Sequence, residues 1–172
     1  CMTGSGVLDP NYFPKLMEEI IKNMDAIMKS IDIKFNHVSM GGGFGIPYDD
    51  NETPLDFDKV FKGVSNTFHS FFKDKDIPEL WIEPGKSVVG TAGVLLASVT
   101  GIKKSYKNFV GLDAGMETLM RPALYNAYHR VYKIGDPKAP NSEVVDFTGR
   151  ICENTDRLAV ERPFPSIQEG DL

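Results

Sequence analysis

Met40-Gly41-Gly42-Gly43-Phe44-Gly45 directly follows Phe35–Met40, an apolar run that predicts a buried strand. Glycine has no Cβ and tolerates positive φ, so the backbone of this loop can press close to a ligand. Successive free N–H groups in such a loop form a concave site for an anion. The stretch therefore predicts either a phosphate-binding loop at the end of a strand or a tight turn without a ligand.

Two better-known phosphate-binding loops are excluded by their spacing. The dinucleotide-binding fingerprint needs a glycine three residues after Gly43, where Ile46 stands. Gly85-Lys86-Ser87 looks like the end of a Walker A loop, but the first glycine of that motif would fall at Leu80. Neither nucleotide-binding fold is predicted.

The composition is that of a globular protein and disfavours several classes of partner. The chain has 172 residues, of which 41% are hydrophobic and 25% are charged, and this is enough for a sizeable core. The net charge of −5 and the lack of long lysine or arginine runs disfavour nucleic acid and anionic membranes. The apolar runs are too short for a transmembrane helix.

The cysteines bear on the cellular location of the protein, and the two ends of the chain bear on whether it is part of a longer protein. Cys1 and Cys152 do not make a disulfide framework and no signal peptide is visible, so a cytoplasmic location is predicted. The chain starts with a cysteine and stops at Leu172, where an apolar strand could begin. We expect it to be a piece of a longer protein.

Strands and helices are predicted to alternate in the first half of the chain. Apolar residues at three- and four-residue spacings predict amphipathic helices over Phe13–Ile31 and Phe57–Phe72. Strands are predicted at Phe35–Met40 and Glu79–Ile82. This order favours a parallel sheet with right-handed crossovers.

Three candidate ligand-binding segments follow predicted strands. Chemistry in parallel sheets collects at the carboxyl ends of the strands, so Gly4-Ser5, the glycine loop and Glu83–Lys86 are expected on one rim. Glu83 suits a general base, a metal ligand or a partner for a cationic ring, or else it is a loop carboxylate in water. Lys86 suits an anion, or else it is an ordinary surface lysine.

A second, mostly antiparallel region is predicted from about residue 87. Its predicted strands are Val88–Thr100, Phe109–Leu112, Arg130–Ile134 and Val144–Ile151, with a short helix within Glu117–Ala127. Because regular helical crossovers are missing from this pattern, we expect a separate domain rather than a continuation of the parallel sheet.

Two pairs of residues in the second region could bind a ligand. Arg121 and Tyr125 share a face if helical and would suit a carboxylate, although surface packing explains them as well. Cys152 and Glu153 follow a β-run; free cysteines are usually inert core residues, and a reactive one should be partly exposed, with a perturbed pKa. No metal is predicted, because metal-ligand spacing is missing among the three histidines, His37, His69 and His129.

Six motifs, in order along the chain, together resemble one family of enzymes. They are Met2-Thr3-Gly4-Ser5, Gly41-Gly42-Gly43-Phe44-Gly45, Glu83-Pro84-Gly85-Lys86, Asp113-Ala114-Gly115-Met116, Arg121-Pro122-Ala123-Leu124-Tyr125 and Cys152-Glu153. With these motifs the chain closely resembles the diaminopimelate decarboxylases, pyridoxal-phosphate enzymes with an alanine-racemase-like barrel. The resemblance favours the phosphate-binding interpretation of the glycine loop.

The resemblance implies a fold, an assembly and a reaction. The fold implied is α/β, with the second half of a (β/α)8 TIM-type barrel over residues 1–86 and part of a mostly antiparallel β-domain over residues 87–172. A homodimer with shared active sites and bound pyridoxal 5′-phosphate is also implied. The reaction implied is the decarboxylation of meso-2,6-diaminopimelate to L-lysine and CO₂.

The resemblance also implies roles for residues at the cofactor. The cofactor phosphate would be held by Ser5 and by the amides of Gly41, Gly42 and Gly43. Glu83 would pair with the pyridine nitrogen and keep it protonated. Gly85 and Lys86 would complete this segment near the phosphate and the substrate carboxylate. Most members carry arginine at the position of Lys86, and lysine keeps the charge but loses the bidentate fork.

Substrate roles are implied for four residues of the second region. Arg121 and Tyr125 resemble the clamp for the substrate carboxylate. Cys152 resembles the acid that returns a proton to Cα, offered across the dimer interface. Glu153 resembles the acceptor for the distal ammonium group of the substrate.

The chain departs from the family at three places. The histidine that stacks on the cofactor precedes Gly4-Ser5 in the family, where Met2 and Thr3 stand here. The lysine that holds the cofactor covalently is matched by no lysine of this chain, and the late Gly-Ala-Tyr motif would follow Leu172. We therefore expect that residues 1–172 do not catalyse alone.

Two alternatives to this function stay open. One is a decarboxylase of another basic amino acid: ornithine, arginine or carboxynorspermidine. The other is a catalytically inactive homologue that regulates a partner. Arg121, Tyr125 and Glu153 favour a substrate with a distal amino-acid head, and the presence of Glu83 and Cys152 argues against an inactive homologue.

Overall fold

Two long helices form one layer of the first part of the structure. The computed structural model describes residues 3–73 and 76–172, so Cys1 and Met2 of the motifs above lie outside it. Helix α1 spans Tyr12–Ser30 and helix α2 spans Phe57–Phe72, close to the ranges that the apolar spacing predicts. Helix α2 begins after Asp56, whose carboxylate accepts the Lys59 N–H at 2.9 Å and so caps the helix.

A short parallel sheet packs against these helices. Strand β1 spans His37–Ser39, strand β2 spans Glu79–Trp81, and the two are parallel, as predicted. Strand side chains alternate between two faces, and Val38 and Met40 join the helices in the core on one of them. The other buried members of this core are Phe13, Met17, Ile21, Met24, Phe44, Leu55, Val60, Val64, Phe68 and Phe72.

A four-stranded sheet forms the second part of the structure. Its order is β3 (Val99–Lys104), β4 (Asn108–Leu112), β5 (Glu143–Thr148) and β6 (Arg157–Phe164). The outer pairs are antiparallel and the central pair, β4–β5, is parallel. The α/β class is therefore confirmed, and the sheet is mixed. Its core is built from Val99, Val110, Leu112, Val145, Phe147, Leu158, Ala159 and Phe164.

Two strand predictions for the second half of the chain were wrong, and a further strand was missed. A strand was predicted to begin at Val88, but helix α3 spans Lys86–Val89, because the amides of Val88 and Val89 both donate to the Gly85 carbonyl. Residues 130–134 are described but not as a strand; one backbone bond, from Ile134 to Leu172 at 2.8 Å, attaches this segment. Strand β6 was not predicted.

The predicted helix within Glu117–Ala127 is present but shorter. Helix α4 spans Arg121–Tyr125 and ends at Asn126, which adopts the left-handed conformation with φ of 49°. The left-handed conformation cannot continue a right-handed helix, so the chain turns there.

The chain separates into two compact units. One unit ends at Gly93 and the other spans Val94–Leu172. Each has its own buried core. Among the described residues, no helix has both the length and the apolar character needed to cross a membrane.

Candidate functional site

The glycine loop of the first unit is held by hydrogen bonds on both sides. On one side, the Glu83 N–H donates to the Gly41 carbonyl at 2.9 Å. On the other side, the Val7 N–H donates to the Gly43 carbonyl, also at 2.9 Å, and an isolated parallel bridge joins Val7 to Phe44. The structure therefore brings the three segments that were expected on one rim into direct contact.

Two positions of this loop require glycine for steric reasons. A Cβ on Gly42 would lie 2.5 Å from the Glu83 carbonyl oxygen, and one on Gly43 would lie 2.6 Å from that of Gly4. Gly43 also has φ of +94°, which side chains rarely adopt. The N–H groups of Gly42 and Gly43 donate no hydrogen bond to any residue that the structure describes. These two amides therefore fit an anion, and neither position has room for a side chain.

Ser39 links the loop to Glu83, a contact that sequence reasoning missed. The Ser39 hydroxyl accepts the Gly41 N–H at 3.1 Å and donates to the Glu83 carboxylate. The amide of Gly41 is therefore engaged, which differs from the prediction that three glycine amides are free for a phosphate. Serine hydroxyls accept the backbone N–H two residues on in ST-turns, so a serine two residues before the first glycine is the signal that could have found this contact.

Lys86 brings a positive charge to the same rim. A Cβ on Gly6, where φ is +72°, would lie 3.1 Å from the Lys86 Nζ, so the ammonium group sits beside the Gly4–Gly6 segment and exposed Ser5. Lys86 Nζ also lies 5.8 Å from the centre of the Tyr48 ring. Gly85 is different, because a Cβ added there would meet nothing within 4 Å.

The donor set of this rim suits an organic phosphate that carries a cationic ring nitrogen. Two glycine amides, the Ser5 hydroxyl and the Lys86 ammonium group are all hydrogen-bond donors, and donors of this kind bind phosphate oxygens. Glu83, held by Ser39, is the carboxylate that could pair with a cation. Among the residues that the structure describes, no group of three or more histidine, cysteine or acidic side chains could hold a metal.

Two loops of the second unit emerge at one edge of its sheet. The loop that begins at Asp113 follows strand β4, and the loop that carries Cys152 and Glu153 follows strand β5. Because β4 and β5 are parallel neighbours, their carboxyl ends lie side by side. The buried carboxylate of Asp156 accepts backbone N–H groups from both loops, a role that the sequence did not reveal.

The two candidate side chains of the β5–β6 loop are exposed. Cys152 is a free, exposed thiol, so it is not a packed core residue of this chain. Glu153 is exposed too, and its carboxylate accepts the Thr155 N–H at 3.3 Å. Exposure is one of the two conditions that were set for a reactive cysteine.

Arg121 and Tyr125 occupy the first and last positions of α4, which packs against β6. They are four residues apart on one helical face, as predicted. A nitrogen of the Arg121 guanidinium lies 3.1 Å from Nε2 of His129, and the His129 carbonyl accepts a hydrogen bond from Arg162 at 2.9 Å. His129 thus helps to hold an arginine that could bind a ligand.

Comparison with known proteins places this geometry in context. A family model described as pyridoxal-dependent decarboxylase, C-terminal sheet domain, matches residues 7–172. The diaminopimelate decarboxylase of Methanothermobacter thermautotrophicus is 37% identical over 171 residues, and that of Archaeoglobus fulgidus is 37% identical over 173 residues. The crystal structure of diaminopimelate decarboxylase from M. jannaschii in complex with L-lysine is 33% identical and superimposes with a TM-score of 0.85.

The matches cover nearly all of this chain but less than half of each relative. The two sequence relatives align with 98% and 100% of the chain, which is 40% and 41% of their own lengths. The M. jannaschii structure aligns with 99% of the chain and 39% of its own length. The chain therefore spans about 40% of the length of the relatives that it matches.

Proposed function

This chain belongs to the pyridoxal-dependent decarboxylases, and from that premise we propose that it is part of an enzyme that converts meso-2,6-diaminopimelate to L-lysine and CO₂. It would act within a longer polypeptide, called the full-length protein below, as its relatives do. The observation that carries the proposal is the contact of the glycine loop with both the Gly4–Val7 segment and Glu83. The bound L-lysine of the M. jannaschii relative is the product of this reaction and supports the substrate.

The phosphate of pyridoxal 5′-phosphate would be bound by the free amides of the glycine loop. Those of Gly42 and Gly43 supply two donors, the Ser5 hydroxyl a third, and Lys86 a positive charge beside them. Gly41 would shape the turn, since its own N–H is bound by Ser39. Gly85 would let the chain pass close to the phosphate side of this rim.

Glu83 would bind the protonated ring nitrogen of the cofactor. When bound, pyridoxal phosphate supplies an electron sink for the electron pair left by loss of CO₂. The Ser39 hydroxyl donates to the Glu83 carboxylate and so orients it. A carboxylate fixed in this way keeps a proton on the ring nitrogen, because the ion pair favours the charged form.

The second unit would supply the groups that bind the substrate and return a proton to it. Arg121, oriented by His129, and Tyr125 would hold a substrate carboxylate. Glu153 would accept the distal ammonium group. Cys152 would protonate Cα, and a thiol suits this task because it can act as a positioned general acid.

The finer architecture is part of the same proposal. We assign residues 1–86 to the cofactor-binding (β/α)8 barrel and residues 87–172 to the β-domain. The parallel β1–β2 pair, with both long helices on one face, supports the barrel. The opposite face carries His37 stacked on half-exposed Trp81, and further barrel strands would cover it. A cytoplasmic homodimer, in which Cys152 reaches the partner subunit's cofactor, completes the proposal.

The role of Cys152 is tested by Cys152→Ala in the full-length protein. Loss of a positioned acid should cut turnover about 10²-fold while cofactor binding stays nearly intact. If a proton then reaches C4′ of the cofactor instead of Cα, hydrolysis by water gives pyridoxamine phosphate and a carbonyl compound in equal amounts. Turnover, melting temperature and pyridoxamine phosphate are measured on one preparation. Normal turnover with only a lowered melting temperature would remove Cys152 from the mechanism.

A further inference from the structure

Asp156 is a buried carboxylate that joins two loops of the second unit. Its exposed fraction is only 3%. Oδ1 accepts the N–H of Met116, in the loop after β4, at 2.6 Å. Oδ2 accepts the N–H of Ile151, in the loop after β5, at 2.8 Å. The carboxylate therefore uses one oxygen for each loop.

The backbone of Asp156 fixes the same β5–β6 loop at two further points. Its carbonyl accepts the Gly149 N–H at 2.9 Å and closes the loop at its base. Its N–H donates to the Glu153 carbonyl at 3.1 Å. Cys152 and Glu153 thus lie between Ile151 and Asp156, which are both anchored through this one aspartate.

Two glycines leave the space that the carboxylate occupies. A Cβ on Gly115 would lie 2.6 Å from Asp156 Oδ1, and a Cβ on Gly149 would lie 2.3 Å from both carboxylate oxygens. A buried charge is tolerated only where hydrogen bonds compensate for lost water, and backbone amides of two loops do so here. Burial, hydrogen bonding and steric room therefore all centre on this one side chain.

We propose that Asp156 is the positioning residue that sets where the Cys152 thiol and the Glu153 carboxylate lie. The proposal rests on the proposed function, because it assumes that Cys152 delivers a proton to Cα. Both side chains are exposed, so their direction depends on the backbone of the loop rather than on packing. A displacement of about 1 Å at a reacting group can cost about 10²-fold in rate.

The test is Asp156→Asn in the full-length protein with bound cofactor. Asparagine keeps one acceptor oxygen but turns an NH₂ group towards the other backbone N–H, so one loop loses its anchor. Turnover should fall about 10-fold or more, and the share of product appearing as pyridoxamine phosphate should rise. Amide hydrogen exchange should quicken in residues 113–119 and 149–155.

Asp146→Asn is the matched control. Asp146 is 1% exposed, lies within β5, and also accepts a backbone N–H, that of Glu161 at 2.7 Å, as well as a guanidinium N–H of Arg157. Its loss should lower the melting temperature without raising the pyridoxamine phosphate fraction. If Asp156→Asn does not fold, Gly115→Ala, which pushes a methyl group against the same carboxylate, takes its place with the same expected result.

The outcomes separate this proposal from the proposed function. Unchanged exchange in both loops, or a product ratio no different from that of Asp146→Asn, would overturn the positioning role. If Cys152→Ala itself forms no pyridoxamine phosphate, the proposal that Cys152 is the proton donor is wrong. In that case the exchange comparison alone decides whether Asp156 holds the two loops together.

Discussion

Gly42 is a residue at which a single added side chain should weaken cofactor binding. In the full-length protein, Gly42→Val should weaken binding of pyridoxal phosphate about tenfold or more. The new Cβ would meet the Glu83 carbonyl at 2.5 Å and displace an amide donor. Loss of one hydrogen bond to a charged group costs ~1.5–3 kcal/mol, which corresponds to this factor. Absorbance titration with the cofactor measures the change.

The matched control for this prediction is Gly93→Ala. A Cβ at Gly93 meets nothing within 4 Å, its φ is not in the left-handed range, and the residue has no place in the proposed cofactor site. Its titration curve should therefore overlie that of the parent protein. If Gly42→Val binds the cofactor as tightly as the parent and Gly93→Ala do, the phosphate role of the loop is wrong.

At the residue scale, the sequence reveals candidate ligand-binding residues more readily than the residues whose hydrogen bonds hold them in place. The glycine loop, Glu83 and Cys152 stand out because their residue types and neighbours are unusual. Ser39 and Asp156 do not stand out, because their importance lies in hydrogen bonds across the fold. Those bonds depend on which backbone N–H groups meet the side chain, and that is set by strand pairing rather than by local sequence.

At the scale of single elements, the long helices were predictable and several strands were not. Helices α1 and α2 bury one continuous apolar stripe, so the 3.6-residue period is clear. Strand β6 was missed because Glu161, at a left-handed φ of 47°, and Pro163 interrupt its alternation. Residues 130–134 alternate between exposed and half-buried side chains, as a strand does. However, a single backbone hydrogen bond, from Ile134 to Leu172, is not the repeated pairing that defines a strand in a sheet.

The attachment of residues 130–134 to the rest of the second unit should depend on pH through Asp171. The ammonium group of Lys133 lies 2.7 Å from the Asp171 carboxylate. The hydrogen bond from Lys133, with a second from the Gln168 N–H, lowers the pKa of Asp171 below its ordinary value. A lowered folded-state pKa stabilises the protein above the ordinary carboxyl range, and this stability is lost as pH falls through the lowered pKa.

Asp171→Asn tests this dependence. At pH 7 the variant should melt below the parent, and the difference should shrink as the pH is lowered through the acid range, because the parent loses the same interaction on protonation. Melting temperatures are compared across this range. Asp136→Asn, an exposed aspartate of the neighbouring loop, is the control and should match the parent throughout. A difference that stays constant with pH would contradict the account.

At the scale of the whole molecule, the proposed function divides the groups of one reaction between the two units. The first unit presents the donors and the carboxylate that suit pyridoxal phosphate, and the second presents an arginine, a phenol, a thiol and a carboxylate that suit an amino-acid substrate. The roles of both sets were expected from the resemblance to the family, and they stay predictions. How the full-length protein combines them depends on contacts beyond each unit, which local sequence patterns do not encode.

The most direct test of the central claim is the reaction of the full-length protein with its substrate. The protein, loaded with pyridoxal phosphate, is given meso-2,6-diaminopimelate, ornithine, arginine or carboxynorspermidine in separate reactions. Release of CO₂ and the amine product are measured together. We expect L-lysine and CO₂ in equal amounts from diaminopimelate and little CO₂ from the others. If CO₂ is released only from one of the other amino acids, that amino acid is the substrate and diaminopimelate is not. If no CO₂ is released from any of them despite bound cofactor, the claim that this is a decarboxylase is wrong.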